Sequence, residues 1–426
     1  MVLGIIVIVI GILVSIALHE VGHMVPAKKF GVRVSQYFVG FGPTVWSRQK
    51  GETEYGIKAI PLGGFVRLIG MYPPAPAGTK PRSGRMSDLV EDARQASAEE
   101  ILPGQEPRAF YNLSAPKKLI VMLGGPVMNL LIAIVLIAIV QVGFGQQVVS
   151  TTIDSAVPCL GATVSTTREG EACGPDEIAA PAYAAGLRSG DKITAVDGRA
   201  VASWDEIPDA LAAAGTAPVT VDFEREGQPQ QVTLTPVTVT SVANDGTSTT
   251  RTQIGIAPAY EWQSEPLSTV PSSVWTQVTM TADVVLQLPV KVYDTARAVW
   301  GGQERGDDAV LSVVGVGRLA GEITATDIPG APANTSWVIL LQLLASLNIA
   351  LFVFNLIPLV PLDGGHVAGA IYEGARRQIA RWRRRPSPGP ADTAKMVPVA
   401  YGMFAALIVM AAIMITADIV APVSIF

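Results

Sequence analysis

The stretch IALHEVGHMVPAKKF, residues 16–30, decides the fold, because it puts two histidines and a glutamate at the end of a long apolar run. The run begins at residue 2 and exceeds the roughly 20 residues with which a helix crosses a bilayer. A cleaved signal peptide is the alternative, but it needs a basic segment before the run and a small-residue cleavage site. No Lys or Arg precedes this run, whereas Lys28 and Lys29 follow it, so a retained membrane helix is favoured.

The composition extends this conclusion to the whole chain. Hydrophobic residues make up 49% of its 426 residues and charged residues only 16%, against about 25% charged residues in soluble domains. We expect a polytopic α-helical membrane protein with four transmembrane helices, a membrane-associated β-hairpin and one extracytoplasmic α+β domain. The predicted segments are helix 1 at 1–27, a hairpin region and flexible loop at 28–116, helix 2 at 117–144, the extracytoplasmic domain at 145–265, a helical region at 266–336, helix 3 at 337–358, a cytoplasmic amphipathic basic segment at 359–396 and helix 4 at 397–421.

The distribution of Lys and Arg orients these helices. Basic residues crowd the segments between helices 1 and 2 and between helices 3 and 4, whereas residues 145–167 contain none. The positive-inside rule therefore places the two basic segments in the cytoplasm, and both termini and the long segment outside. The net charge of −5 gives no excess of positive charge with which to bind a nucleic acid, so no such partner is expected.

The only two cysteines, Cys159 and Cys173, lie in the segment predicted to face outward. Disulfides persist in oxidising compartments, so a bridge between them is favoured, with two free thiols as the alternative.

Several shorter elements are predicted between the membrane helices. Residues 55–60 and 64–69 read as short strands that residues 61–63 join into a hairpin, after a tight turn at 40–43. Residues 72–105 are rich in Pro, Gly, Ser and charge and are predicted to form a flexible loop. In the outward domain, residues 219–237 predict a second hairpin that turns at 226–228.

The candidate chemistry is concentrated at the end of helix 1. His19 and His23 are four residues apart, so both imidazoles project from one helix face and can bind one zinc ion. Glu20 lies beside them in the position of a general base. Ionisable residues within a membrane helix are costly without partners and usually mark a functional site, which favours metal binding over isolated polar side chains.

A catalytic zinc site needs a third protein ligand and one open position. Asp363 is the candidate, because it follows helix 3 on the same predicted side of the membrane as the histidines, and because the next residues, Gly364 and Gly365, allow close backbone approach. The alternative is an Asp that caps the following helix. For the remaining histidine, His366, a fourth ligand position is the alternative; a role in supporting a ligand or contacting substrate is favoured, and it is left outside the predicted ligand set.

The chain resembles the site-2 protease family of intramembrane zinc metalloproteases, in particular its bacterial four-span branch that cleaves anti-sigma factors. The resemblance rests on motifs that occur in the same order here, namely HEVGH, GFGP, IPLGGFVRL, GGPVMN, GLRSGDKITAVDG and NLIPLVPLDGGH. One departure is Val360, which stands where family members usually have Pro, with Pro361 following it.

The resemblance implies a set of site residues and a cofactor. The metal ligands are His19, His23 and Asp363, the metal is Zn²⁺ and the general base is Glu20. The residues expected to contact substrate are Asn355, Asn129 and the hairpin residues Gly64, Phe65 and Val66. The resemblance also makes the outward module a PDZ-like domain, for which a peptide-binding groove and a spacer role both remain open.

The implied activity is hydrolysis of peptide bonds within or near the membrane segments of single-span membrane proteins, such as anti-sigma factors, in a bacterial plasma membrane. The active site is expected near the cytoplasmic side, and membrane lipid is the other expected partner. A catalytically silent scaffold that holds partners through the PDZ-like domain is the main alternative. A zinc transporter or sensor is less favoured, because the spans carry no series of further acidic or histidine residues.

Overall fold

The computed structural model describes residues 2–75, 84–161, 173–174, 177–242, 248–301, 310–325 and 334–422. Residues 76–83 of the predicted flexible loop, and residues 302–309 and 326–333 of the predicted helical region, therefore lie outside the described residues.

The described residues form ten α-helices, of which four have the length and composition of membrane spans. The helices are α1 (Val2–Lys29), α2 (Arg85–Glu99), α3 (Ala115–Ala138), α4 (Pro181–Ala184), α5 (Glu206–Ala214), α6 (Val270–Gly301), α7 (Val313–Ala325), α8 (Thr335–Asn355), α9 (Asp363–Trp382) and α10 (Val397–Val420). The candidate spans are Val2–Lys29, Ala115–Phe144, Thr335–Asn355 and Thr393–Val420. The expected membrane protein with four apolar helices is confirmed.

The chain divides into two compact units, one formed by residues 1–142 and 266–426 and the other by residues 143–265. The first unit contains the candidate spans and the strands β1 (Val34–Lys50) and β2 (Thr53–Leu68). The strands of the second unit are β3 (Gln146–Ala156), β4 (Cys159–Leu160), β5 (Ile178–Ala179), β6 (Lys192–Val196), β7 (Arg199–Ala200), β8 (Val219–Arg225), β9 (Gln228–Leu234), β10 (Val237–Val242), β11 (Ser248–Gln253) and β12 (Ile256–Gln263).

Helices α1 and α3 pack closely because glycines meet at their contact. A Cβ at Gly22 would collide with the carbonyl oxygen of Gly124, and a Cβ at Gly124 would collide with that of Gly22. Small residues at such contacts let two membrane helices approach each other closely. Only 17–28% of the most apolar window of each span is buried inside the protein, so lipid must cover much of the remainder.

The β-sheet of the first unit differs from the predicted hairpin. Residues 55–60 and 64–69 were expected to pair with each other, and that expectation is wrong. Residues 34–39 lie between them, with Phe38 opposite Gly56 on one side and opposite Phe65 on the other. The residues from Thr44 to Lys50 add a further stretch beside Thr53–Lys58. The Tyr37 hydroxyl donates to the Ala17 carbonyl at 2.8 Å, which fixes the sheet against α1.

The flexible loop predicted at 72–105 also requires correction, because α2 forms within it. The Arg94 guanidinium binds Asp392, which precedes α10, with Nη2 2.7 Å from Oδ2. Ser97 accepts a hydrogen bond from the Tyr72 amide at 3.1 Å. These contacts supply the tertiary stabilisation that the polar composition of this helix does not suggest by itself.

The second unit is built on a six-stranded sheet in which β12, β3, β6, β8 and β9 are neighbours in that order and β7 pairs with β6. Its core contains Ile153, Ile193 and Phe223, and α5 contributes Ile207 and Leu211. Strands β8 and β9 form the predicted second hairpin, with Arg225 opposite Gln228. The predicted disulfide between Cys159 and Cys173 is confirmed, with a Cα–Cα distance of 5.6 Å.

A buried ion pair in this unit leads to a prediction about its stability. Asp191 is 1% exposed and accepts hydrogen bonds from Arg225 at Nε (2.7 Å) and Nη2 (2.8 Å). Burial acts to raise the pKa of the Asp191 carboxyl, but its bonds with Arg225 and the Arg188 amide outweigh burial and lower it. Because the folded pKa is depressed, the stabilisation is complete above the unfolded pKa of about 3.9 and is lost as the pH falls through the lower folded value.

We therefore expect Asp191→Asn to accelerate amide hydrogen exchange in β8 about tenfold at pH 7, because a bond with a charged partner is lost from a buried site. The difference from the unchanged protein should shrink as the pH falls below 4. Asp222→Asn is the matched control. Asp222 lies on β8, the strand whose exchange is measured, and its contact with Gln231 is exposed. Equal exchange in the two variants at pH 7 would contradict this account.

Candidate metal centre

Three side chains from distant parts of the chain converge at the end of α1. His19 and His23 lie one helical turn apart, with their Nε2 atoms 3.1 Å from each other. Asp363 is the first residue of α9, and its Oδ2 lies 3.3 Å from each of these nitrogens. The structure therefore brings the three predicted ligands to one point.

The turn between α8 and α9 places Asp363 there. A Cβ at Gly365 would lie 2.6 Å from the Val360 nitrogen, and one at Gly364 would collide with the Ile357 carbonyl oxygen. Only glycines permit so tight a return of the chain. The alternative role of Asp363 as a helix cap is not supported, because the N-cap residue is Leu362 and makes no side-chain cap bond.

The geometry of these donor atoms fits a zinc ion. Ligands bound tetrahedrally at 2.0–2.1 Å from zinc lie about 3.3 Å from one another, which is close to the observed separations. Asp363 Oδ2 is buried and has no hydrogen-bond partner. A buried carboxylate oxygen is rarely left in that state unless a cation satisfies it. Two nitrogens and one oxygen leave a fourth position open, as in catalytic zinc sites.

The second nitrogen of His23 is held by α3. His23 Nδ1 lies 2.8 Å from the carbonyl oxygen of Val121, which can only accept a hydrogen bond. Nδ1 therefore carries the proton, and Nε2 keeps its lone pair for a metal.

Asn129 supports His19 and does not reach the cavity. Its side chain is fully buried, and Nδ2 lies 3.1 Å from His19 Nδ1, while Oδ1 has no hydrogen-bond partner. With the carboxamide rotated by 180°, Oδ1 can accept the Nδ1 proton of His19, which leaves His19 Nε2 for the metal. Asn129 was predicted to contact substrate, but in the structure it contacts His19, a candidate metal ligand.

We expect Asn129→Ala to weaken zinc binding about 10- to 100-fold, because the His19 ring loses the partner that sets its orientation and tautomer. The measurement is competition for zinc with a chelator of known affinity. Asn129→Asp keeps an acceptor oxygen at the same place and should restore most of the affinity. Unchanged zinc affinity in Asn129→Ala would show that the contact does not support the ligand.

Gly125 provides the space in which the two imidazoles meet. A Cβ on Gly125 would lie 2.6 Å from His19 Nε2 and would collide with His23 Nε2. In the GGPVMN motif, Gly124 thus allows α1 and α3 to pack closely, and Gly125 leaves space for the two histidine side chains.

Glu20 faces a cavity of about 560 Å³ whose lining includes the three candidate ligands. The backbone of Val66, on β2, lies close to the Glu20 carboxylate. Gly64 permits this contact, because a Cβ there would lie 3.2 Å from Glu20 Cγ and 3.0 Å from Ile16 Cγ2. The base is thus oriented by the strand that passes beside it.

The other predicted substrate-contacting residues, Asn355, Gly64, Phe65 and Val66, all line this cavity. Residues 64–68 pair with residues 34–39 on one side, and within the described ranges no strand pairs with their other edge. His366 also lines the cavity, but its side chain lies outside the group of candidate ligands.

One wall of the cavity was not expected from the sequence. Ala93, Ala96, Ser97 and Glu100, in and just after α2, contribute to the lining. Arg67, on β2, forms an ion pair with Glu100, with Nε 3.4 Å from Oε1. The run of helix-favouring Ala, Glu, Arg and Gln in residues 91–100 was the signal that could have identified this helix.

Comparison with known proteins places this site in a family. The model of Peptidase family M50 matches residues 7–385. The chain belongs to peptidase family M50. This is the site-2 protease family, so the expectation from the sequence motifs is confirmed, and so is the expectation of a metalloendopeptidase.

Two relatives of this M50 peptidase match it over nearly its whole length, and a third matches most of it. Zinc metalloprotease Rip1 of Mycolicibacterium smegmatis is 33% identical over 446 residues, which cover 100% of this chain and 99% of the relative. Zinc metalloprotease Rip1 of Mycobacterium tuberculosis strain H37Rv is 32% identical, over 99% of this chain and 98% of the relative. Metalloprotease MmpA of Caulobacter vibrioides is 26% identical over 86% of each chain.

Proposed function

We propose that this zinc metalloendopeptidase hydrolyses peptide bonds within or near the membrane segments of single-span membrane proteins, anti-sigma factors among them, after a first extracytoplasmic cut. The observation that carries the proposal is the position of His19, Glu20 and His23 in an apolar helix long enough to span a bilayer, with Asp363 beside them. A site at that depth reaches peptide bonds that lie within lipid and are closed to soluble proteases.

His19, His23 and Asp363 would hold the zinc ion. When bound, zinc polarises the carbonyl of the scissile bond and lowers the pKa of water towards about 7. Glu20 takes the proton from the attacking water and passes it to the leaving amine. Glu20 and Val66 both line the cavity, so the carboxylate faces the space in which these transfers take place.

Asn355 and the strand residues position the substrate in this proposal. Asn355 lines the cavity and offers a carboxamide donor for the oxygen of the scissile carbonyl, where negative charge develops. A helical substrate must first unwind, because its carbonyls are already hydrogen-bonded along the helix. The edge formed by Gly64, Phe65 and Val66 can accept the unwound segment as an added strand.

The cellular arrangement follows from charge. We place the protein in a bacterial plasma membrane with both termini outside, because the basic segments at 28–116 and 359–396 favour the cytoplasmic side. The active site then lies near the cytoplasmic face, since Lys28 and Lys29 follow the ligands on α1. The basic residues of α9 suit contact with anionic lipid.

For the second unit we propose a PDZ-like domain. It holds a cavity of about 670 Å³ lined by Tyr183, Gly186, Leu187 and residues of β3. A groove between a strand and a glycine-containing loop can receive an extended peptide or a terminal carboxylate.

The test is capture of substrate by Glu20→Gln in the full-length protein. We expect this variant to retain an already truncated single-span membrane protein that the active enzyme releases as cleaved fragments. The scaffold alternative predicts the same partners for the active and Glu20→Gln proteins, with no cleavage by either. The complete set of ligands and the base give that alternative no support.

A further inference from the structure

A cluster of buried charges lies outside the catalytic cavity. The side chains of Lys118, on α3, and Glu373, on α9, are 7% and 1% exposed, and Lys118 Nζ lies 2.7 Å from Glu373 Oε2. Arg377 Nη2 lies 2.7 Å from Glu373 Oε1, and the Ala391 amide donates to Oε2 at 3.1 Å. Neither Lys118 nor Glu373 lines the cavity that holds Glu20, so neither group takes part in the steps described above.

The two partners stand on the elements that hold the candidate ligands. Lys118 precedes Val121 by one turn of α3, and the Val121 carbonyl accepts the hydrogen bond from His23 Nδ1. Glu373 belongs to α9, whose first residue is Asp363. One turn of α3 therefore makes both contacts: the Val121 carbonyl binds His23, and Lys118 binds Glu373 of α9.

This connection is stiff. A buried ion pair with further hydrogen bonds resists separation, because moving either partner leaves a charge without compensation in a site with little water. Glu373 forms ion pairs with Lys118, on α3, and with Arg377, one turn further along α9. It also accepts a hydrogen bond from the Ala391 amide, in the segment before α10. The eleven residues from Asp363 to Glu373 are one continuous stretch of helix, about 15 Å from first to last, so a shift of α9 at Glu373 moves the Asp363 carboxylate as well.

We propose that the Lys118–Glu373 pair is a positioning device for the metal centre, which sets the distance of Asp363 from His23 by tying α9 to the turn of α3 that holds His23. The inference rests on the proposed zinc site but requires no particular protein substrate. Lys118 and Glu373 are thus positioning residues, and they act on the metal through Asp363.

The test measures zinc affinity of the full-length protein by chelator competition. Lys118→Met removes the charge but keeps the length of the stem, and it leaves Glu373 with Arg377 and the Ala391 amide. Glu373→Gln keeps the shape of its side chain. We expect each variant to bind zinc about tenfold more weakly, at the lower end of the effects seen when support of a metal ligand is lost. The double variant should be no weaker than either single one, because both cut the same link.

Ile323→Ala is the control for lost stability. Ile323 is 2% exposed in a separate cluster with Ile8 and Leu340, so its truncation destabilises the same unit away from the metal centre. We expect this control to lose stability and keep wild-type zinc affinity. Wild-type affinity in Lys118→Met and Glu373→Gln, additive losses in the double variant, or an equal loss in Ile323→Ala would overturn the proposal. Because the readout is zinc binding, failure of the proposed intramembrane cleavage would not produce any of these results.

Discussion

Replacing Glu20 with glutamine is expected to reduce peptide-bond cleavage about 10²- to 10⁴-fold while zinc binding is kept, because the variant loses only the group that moves protons. Glutamine has nearly the same shape, so it can occupy the place of Glu20 in the lining of the cavity. It cannot take a proton from the attacking water. The measurement is the cleavage rate of a single-span membrane substrate in detergent or liposomes, with the zinc content of the same preparation.

Tyr37→Phe provides the control for the surroundings of Glu20. The Tyr37 hydroxyl donates to the backbone of Ala17, so its removal perturbs the same helix without removing a proton carrier. We expect a change in cleavage of less than tenfold, since one neutral hydrogen bond contributes about 1 kcal/mol. Cleavage by Glu20→Gln within tenfold of wild type would exclude Glu20 as the base.

Replacing Asp363 with alanine is expected to remove zinc as well as activity. Its Oδ2 lies 3.3 Å from both histidine nitrogens, so the variant keeps only two ligands, where a catalytic zinc site uses three. We expect zinc affinity to fall by more than about 100-fold, which exceeds the loss caused by removing a supporting residue. The measurement is zinc stoichiometry after dialysis against a chelator.

His366→Ala is the matched control for this second prediction. His366 lies one turn along the same helix and lines the same cavity, but it stands outside the candidate ligands. It should keep its zinc under the dialysis that strips Asp363→Ala. Full zinc retention by Asp363→Ala, or equal loss from both variants, would show that the ligand set is wrong.

Features that depend on local chemistry were predictable from the sequence. The four apolar runs follow from length and hydrophobicity alone, and the structure has helices at each of them. The i, i+4 spacing of His19 and His23 predicts that they share a helix face, and their nitrogens lie 3.1 Å apart. The turn of the second hairpin was also predictable, since Glu226 and Gly227 both adopt the positive φ that such turns require.

The placement of Asp363 depended on more than local rules. Its separation in sequence from His19 and His23 follows no helix or strand periodicity. The requirement for a third ligand, the predicted side of the membrane and the order of the family motifs pointed to it. The structural reason is the tight return of the chain at Gly364 and Gly365. The sequence predicted close backbone approach at these glycines but not the direction of the turn.

The errors arose where pairing or packing partners lie far away in the chain. Residues 55–60 and 64–69 were paired with each other because they are close in sequence, whereas residues 34–39 lie between them. Helix α2 was taken for a loop because its stabilising contacts, such as Arg94 with Asp392, come from distant segments. The resemblance implied that Asn129 contacts substrate, but the polar group it contacts is His19, on α1.

The most direct test of the central claim is zinc X-ray absorption spectroscopy on the purified full-length protein. We expect one zinc per chain with a first shell of nitrogen and oxygen at about 2.0–2.2 Å, including the scattering pattern of two imidazoles. Loss of the bound zinc in Asp363→Ala would tie that shell to α9. A first shell that contains sulfur, or a wild-type spectrum retained in Asp363→Ala, would contradict a metal shared by His19, His23 and Asp363.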